Sequence, residues 1–275
     1  MGTSSQFGGT TVGLVPSWVD DPTPAPAHTV NGTEVTQEPL ENTTVARNII
    51  RPSVFSDAKN NYSRYLGSGD RRSMKRALHH YGKATGGTGG ATRRMGTSRS
   101  TAGGLAHFIG TLGTGGVQQA LREFDLSNYA NQSASDVLFA LSEVICPPGG
   151  TIDEGIARDA MHESIGELIN SGITDLDAMN EAQRQELLIN YFTHSIQGRI
   201  INDIGHGTVK MPSSNEEVER LEKSLAHFTK GQVRIAVERH YEEKPTFNEH
   251  ELARMIDNIY QESFALLTGL AEVLK

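Results

Sequence analysis

The stretch NEAQRQELLINYFTHSIQGRIINDI, running from Asn180 to Ile204, decides the fold. Leu188, Tyr191, Phe192, Ile196, Ile200 and Ile204 recur at steps of three and four, which gathers them on one side of an α-helix and scatters them across both faces of a strand. Asn180 followed by Gln183 supplies a start signal, and Pro212 supplies the break.

The same grammar extends in both directions. Downstream, Ser214 with Glu217 reopens a helix through Val218, Leu221, Leu225, Phe228 and Ile235. After Pro245 a last helix runs from about Asn248, with Leu252, Met255, Ile256, Ile259, Tyr260, Leu267 and Leu270 at helical spacing. Upstream, Thr151 with Glu154 forms a capping-box pattern opening a helix that carries Ile156, Ala160, Ile165, Leu168 and Ile169 and stops at Gly172. Ser133 to Cys146 reads as another, through Val137, Leu138, Leu141, Val144 and Ile145, halted by Pro147 and Pro148. Nearer the N-terminus, Tyr62, Tyr65 and Leu66 share a face, and Asp70 caps a helix carrying Met74, Ala77, Leu78 and Tyr81. No long stretch alternates with the period of two that a strand requires. The expectation is an all-α protein, a multi-helix bundle or array, with a flexible Gly/Pro-rich N-terminal tail.

Three segments follow from composition. Residues 1–52 hold Gly8, Gly9, Pro16, Pro22, Pro24, Pro26 and Pro39 with no sustained period, and read as an extended, solvated tail. One apolar island, Leu14-Val15-Pro16-Ser17-Trp18, interrupts it. Trp18 is the only tryptophan, and a tryptophan gives a large anchor at little rotamer cost, so Leu14, Val15, Pro16 and Trp18 suit either a partner's pocket or the chain's own body. Residues 53–124 read as a basic, glycine-rich helical region, and residues 125–275 as an acidic helical domain. Ala102, Gly103, Gly104 and Ala106 suit close helix–helix approach, whereas the runs Gly86–Gly90 and Gly113–Gly116 read as hinges.

Charge divides the chain sharply. Between Arg64 and Arg99 stand nine Lys or Arg against Asp70 alone, a net of +8 in a protein whose overall charge is −8. Counterion release makes such clusters effective on phosphate, so Arg71, Arg72, Lys75, Arg76, Arg93, Arg94 and Arg99 are candidate contacts for an anion or a nucleic acid. An acidic surface, on this chain or on a partner, would satisfy the same cluster. Aromatic residues for base stacking are sparse there, with only Tyr65 and Tyr81.

The search for enzyme chemistry finds nothing complete. Neither glycine run is followed by the Lys and Ser/Thr of a phosphate-binding loop, and both lack the third glycine of a dinucleotide fingerprint. His79 and His80 are adjacent, and His162-Glu163 has Gly166 where a zinc-protease helix needs its second histidine. Cys146 is the only cysteine, which excludes an intrachain disulfide and reads as a buried small hydrophobe. No apolar run approaches the ~20 residues of a membrane span. The reading is a soluble, cytoplasmic, non-enzymatic protein that needs no metal and no cofactor.

The N-terminus carries one more signal. Gly2 is small enough for removal of Met1, which exposes an α-amine, and Gln6 stands where a myristoylation signal needs Ser or Thr. Met1-Gly2-Thr3-Ser4, a glycine-rich spacer and Leu14-Val15-Pro16-Ser17-Trp18 together resemble the start of QatB-type proteins of bacterial Qat anti-phage systems. The basic, glycine-rich helices from Arg71 to Gly116, followed by an acidic helical half, are similar to that family as well. Ser17 departs from the pattern, which usually has a second proline before the tryptophan. The resemblance implies three partners: an ATPase, a TatD-like nuclease, and a QueC-like enzyme of deazaguanine chemistry. It also implies a role for Gly2 as acceptor of a 7-deazaguanine, with Thr3 and Ser4 in the partner's channel and Leu14, Val15, Pro16 and Trp18 docked outside. The competing expectation is a nucleic-acid-binding adaptor that uses residues 64–99 to recruit the nuclease or the ATPase.

Overall fold

The computed structural model describes residues 52–146, Pro148, 150–205, 214–243 and 249–269. The tail motif, from Gly2 to Trp18, lies outside them. Among the described residues the protein is all-α, with nine α-helices, two short 3-10 segments and no strand. In chain order the helices are α1 (Ser56–Ser68), α2 (Arg71–Ala84), α3 (Gly87–Arg93), α4 (Gly96–Glu123), α5 (Ala134–Ile145), α6 (Ile152–Asn170), α7 (Glu181–Gly205), α8 (Asn215–Glu243) and α9 (Glu249–Thr268).

Local signals set the helix starts. Thr151 accepts from the Glu154 backbone N–H while the Glu154 carboxylate accepts from the Thr151 N–H, at 3.2 and 2.9 Å. Asn180 and Gln183 make the same reciprocal exchange before α7. Asp70 accepts from the N–H groups of Arg72 and Ser73 at the head of α2. Each of these bonds satisfies a donor that a helix end would otherwise leave exposed, contributing about 1 kcal/mol.

Two helices act as hubs. The α7 helix packs against α1, α4, α6 and α8, and α9 packs against α2, α3, α4 and α8. Their crossing is knitted by Phe192 and Tyr260, whose rings meet edge to face at 4.7 Å, and by Ser195 and Tyr260, whose hydroxyls lie 2.9 Å apart. The buried hydroxyl groups of Tyr191 and Tyr260 both donate to the Ser98 carbonyl, which fixes the first turn of α4 on that crossing. One hydrophobic core runs from Phe55 to Leu267, so residues before and after 124 share it.

The glycine runs expected as hinges are built into helices instead. Gly87 to Gly90 form the first turn of α3, and a side chain at Gly90 would meet the Thr85 carbonyl oxygen at 1.9 Å. Close approach, not freedom, accounts for that glycine. The second run lies within α4, where Gly116 alone leaves the helical region, at φ 76° and ψ 175°. Asp177 bridges that break by accepting from the Val117 N–H at 2.8 Å. At Gly104, by contrast, the expected close helix–helix contact is present: an added Cβ would lie 2.8 Å from Ile145 of α5.

Candidate functional site

The basic segment folds into α1 to α3 and the start of α4, and helical geometry sorts its charges into two groups. In α2, Ser73, Met74, Ala77, Leu78, Tyr81 and Gly82 are buried. The opposite arc therefore carries Arg71, Arg72, Lys75, Arg76 and Lys83, all exposed. No carboxylate among the described residues lies within ion-pairing distance of these five cations. Asp70 is turned onto the helix start, where the bonds from the Arg72 N–H and from the hydroxyl and N–H of Ser73 hold its carboxyl below the usual range. Like charges at a spacing of four, such as Arg71 with Lys75 and Arg72 with Arg76, cost an isolated helix about 0.2–0.5 kcal/mol a pair. The face is thus held together by the core beneath it and not by its own surface.

The second group is engaged inside the fold. Arg94 donates through Nε and Nη2 to the two carboxylate oxygens of Asp203 at 3.0 and 2.7 Å, and its guanidinium sits 5.7 Å from the centre of the Phe55 ring. The Tyr81 hydroxyl donates to the same carboxylate at 3.0 Å. Arg199, whose side chain is only 5% exposed, lies 3.8 Å from Asp203 and also pairs with Asp153. Arg99 donates to Asp257 of α9, with Nη2 2.6 Å from Oδ2. Arg93 is exposed. Of the seven cations that sequence singles out, five face solvent and two serve as ties between helices.

A groove opens beside the cationic face. Lys75, Arg76 and His79 of α2 form one wall, Phe228 and Gln232 of α8 another, and Leu266 to Gly269 at the end of α9 the third; it encloses about 510 Å³. His79 Nδ1 lies 3.0 Å from the Thr268 carbonyl oxygen, which sets the ring at the groove's edge. Phe228 and Leu266 are half-buried, and Ile235, seven residues beyond Phe228 on the same side of α8, is 43% exposed. A second groove of about 560 Å³ separates α4 from α9, floored by Gly103, Phe124, Leu252 and Ile256 and rimmed by the Arg99–Asp257 pair.

Elsewhere the polar groups of the body bind helices to one another. Lys230 of α8 donates to Glu167 of α6 and lies 2.9 Å from Glu186 of α7, and Arg234 adds a 2.7 Å contact to Glu186. His194 lies 2.9 Å from Glu167. The hydrogen bond with His194, and behind it Lys230, hold the Glu167 carboxyl down to about 2 against the opposing effect of burial. Sequence reading misses this network because its members are spread over three helices. Glu186 and His194, eight residues apart and so on one side of α7, are the available signal. Cys146 is buried, and burial pushes its thiol up. Among the described residues no cluster of His, Cys, Asp or Glu could hold a metal ion, and no helix is long and apolar enough to cross a membrane.

A family model described as "Qat anti-phage system associated protein QatB" matches residues 86–267, which is more than half of the chain. The chain belongs to the QatB family. No curated protein and no solved structure matches it. The family match begins at Gly86, so it covers α3 to nearly the end of α9, including Asp203, Asp257 and the α6–α7–α8 network. It places the protein among the components of the Qat anti-phage system. The cationic α2 and the N-terminal motif both lie before the matched residues.

Proposed function

We propose that this QatB-family chain is a non-enzymatic scaffold and adaptor of the Qat system, and the protein substrate of a QueC-like partner. The observation that carries the reading is the family match over residues 86–267, joined to a sequence that opens Met1-Gly2-Thr3-Ser4. Removal of Met1 leaves the α-amine of Gly2, whose ordinary pKa of about 7.7–8 keeps a useful fraction neutral and nucleophilic near pH 7. A QueC-like enzyme activates the carboxylate of a 7-deazaguanine acid with ATP, releasing pyrophosphate and leaving an acyl adenylate. The Gly2 amine attacks that carbonyl, AMP departs, the nitrogen loses a proton, and an amide joins the deazaguanine to the chain. Thr3 and Ser4 line the entry channel, and Leu14, Val15, Pro16 and Trp18 dock outside it. The ATPase and the TatD-like nuclease are further partners of the same scaffold, acting with it in the cytoplasm.

The body supports a holding role. Its half-buried ionisable side chains tie helices together, and its thiol and buried phenols are pushed by burial away from their reactive forms. The test is the intact mass of the protein, purified alone and after co-expression with the QueC-like enzyme. A mass gain confined to the second sample and mapped to Gly2 is expected. An unchanged mass, or a gain that persists when Gly2 is covered by an N-terminal extension, would refute the conjugation.

A further inference from the structure

We propose that the groove between α2, α8 and the end of α9 is a docking site for a protein partner's acidic segment carrying a bulky apolar side chain. The inference does not rest on the N-terminal chemistry above and stands or falls without it.

Two features coincide here. The first is electrostatic: Arg72, Lys75, Arg76 and Lys83 lie along one exposed side of α2, a line about 16 Å long at 1.5 Å per residue. None of them meets a carboxylate of the described body, although the chain as a whole is acidic. Water screens these cations in the free body, and a segment that seats beside them gains by carrying negative charge. The second feature is apolar. Phe228 and Leu266 lie half-buried in the groove that Lys75 and Arg76 overhang, and Ile235 continues the apolar line along α8. The helical period puts both Phe228 and Ile235 on the core side of their helix; both instead retain surface that nothing in the described body covers completely.

The combination selects a peptide over a nucleic acid. A phosphate backbone would match the cations but offers nothing apolar to fill the groove. Stacked bases would need a row of exposed aromatic rings; Tyr65 and Tyr81, the tyrosines of this segment, are fully buried, and the rings at the groove, Phe228 and His79, are half-buried. An acidic segment with a Leu or Phe satisfies both walls at once: carboxylates meet Arg72, Lys75, Arg76 and Lys83, and the apolar side chain fills the space over Phe228 and Leu266.

The experiment is fluorescence anisotropy on the full chain at about 50 mM salt, where exposed charges are least screened. The probe is a labelled, glutamate-rich amphipathic peptide of about 16 residues with Leu and Phe along one side, long enough to lie along α2. Controls are the same peptide with its apolar residues replaced by serine, and a single-stranded oligonucleotide of matched length. The native chain should prefer the apolar-bearing peptide. The double variant Lys75→Glu/Arg76→Glu should weaken it by about tenfold or more. Gln232→Glu, which places a carboxylate in the groove beside Lys75 and Arg76, should weaken it by about threefold or more at an unchanged melting temperature. Absence of peptide binding to the native chain overturns the proposal, as does equal binding by both variants. Preference for the oligonucleotide over the apolar-bearing peptide, lost in Lys75→Glu/Arg76→Glu, would assign the surface to nucleic acid instead. Peptide binding that appears only on deletion of residues 270–275 would assign the groove to this chain's own C-terminal segment.

Discussion

Replacing Asp203 by alanine tests whether the basic segment is held to the body by its internal ion pairs. The Asp203 carboxylate is 4% exposed and receives Arg94 through two hydrogen bonds, the Tyr81 hydroxyl through one, and Arg199 at 3.8 Å. Its removal leaves two cations and a buried phenol facing one another. Breaking a buried pair by deleting one member costs about 3–5 kcal/mol, because the surviving charge stays desolvated. Here two features point to the lower end. The Arg94 side chain is 26% exposed and can recover water, and Arg199 keeps Asp153 as a partner. The expected loss is about 3 kcal/mol. That corresponds to a melting temperature lower by about 6–12 °C for a body of this size. Urea unfolding of the full chain, followed by circular dichroism, measures it. Arg94→Ala should cost less, since Asp203 then retains Arg199 and Tyr81. The double variant should fall short of the sum of the two singles by about 2 kcal/mol. A loss below about 1 kcal/mol for Asp203→Ala, or strict additivity, would show that these charges sit together without holding α2, α3 and α7 in register.

The Glu167 carboxyl is held down to about 2 from an ordinary 4.5, so its stabilising contribution is complete above pH 4.5 and is lost as pH falls toward 2. Urea midpoints of the native chain should therefore drop between about pH 5 and pH 3 more steeply than those of Glu167→Gln, and parallel curves would exclude the network as an acid-labile tie. Two glycine substitutions should move stability in opposite directions. Gly90→Ala drives a methyl into the Thr85 carbonyl and should destabilise by at least about 1–3 kcal/mol, whereas a Cβ at Gly103 meets nothing within 4 Å, so Gly103→Ala should stabilise by about 0.5–1 kcal/mol. Thermal melts of the two variants compare them directly, and a shift of the same sign in both would contradict the packing described.

What the sequence determined alone is what local chemistry controls. Thr151 with Glu154 and Asn180 with Gln183 start helices because a side chain three residues away can reach an unpaired backbone N–H whatever the rest of the chain does. The steps of three and four from Leu188 to Ile204 mark a buried face because helical geometry places those positions together before any neighbour arrives. The same holds for the cationic side of α2, legible from spacing and charge alone. Tertiary structure decided everything that depends on which helix lies beside which. Lys75 and Arg94 are both cations of one sequence cluster, yet Arg94 meets Asp203, 109 residues away, while Lys75 stands on the exposed side of α2 at the rim of a groove. Gly87 to Gly90 carry the composition of a linker, yet they form a helix packed on α9, with the Thr85 carbonyl pressed against Gly90. Phe228 and Ile235 obey the helical period as faithfully as Leu225 does, but how far each is covered depends on which helices lie beside α8. Ion pairs, close approaches and grooves are relations between distant segments, and a pattern read along one segment holds no record of them.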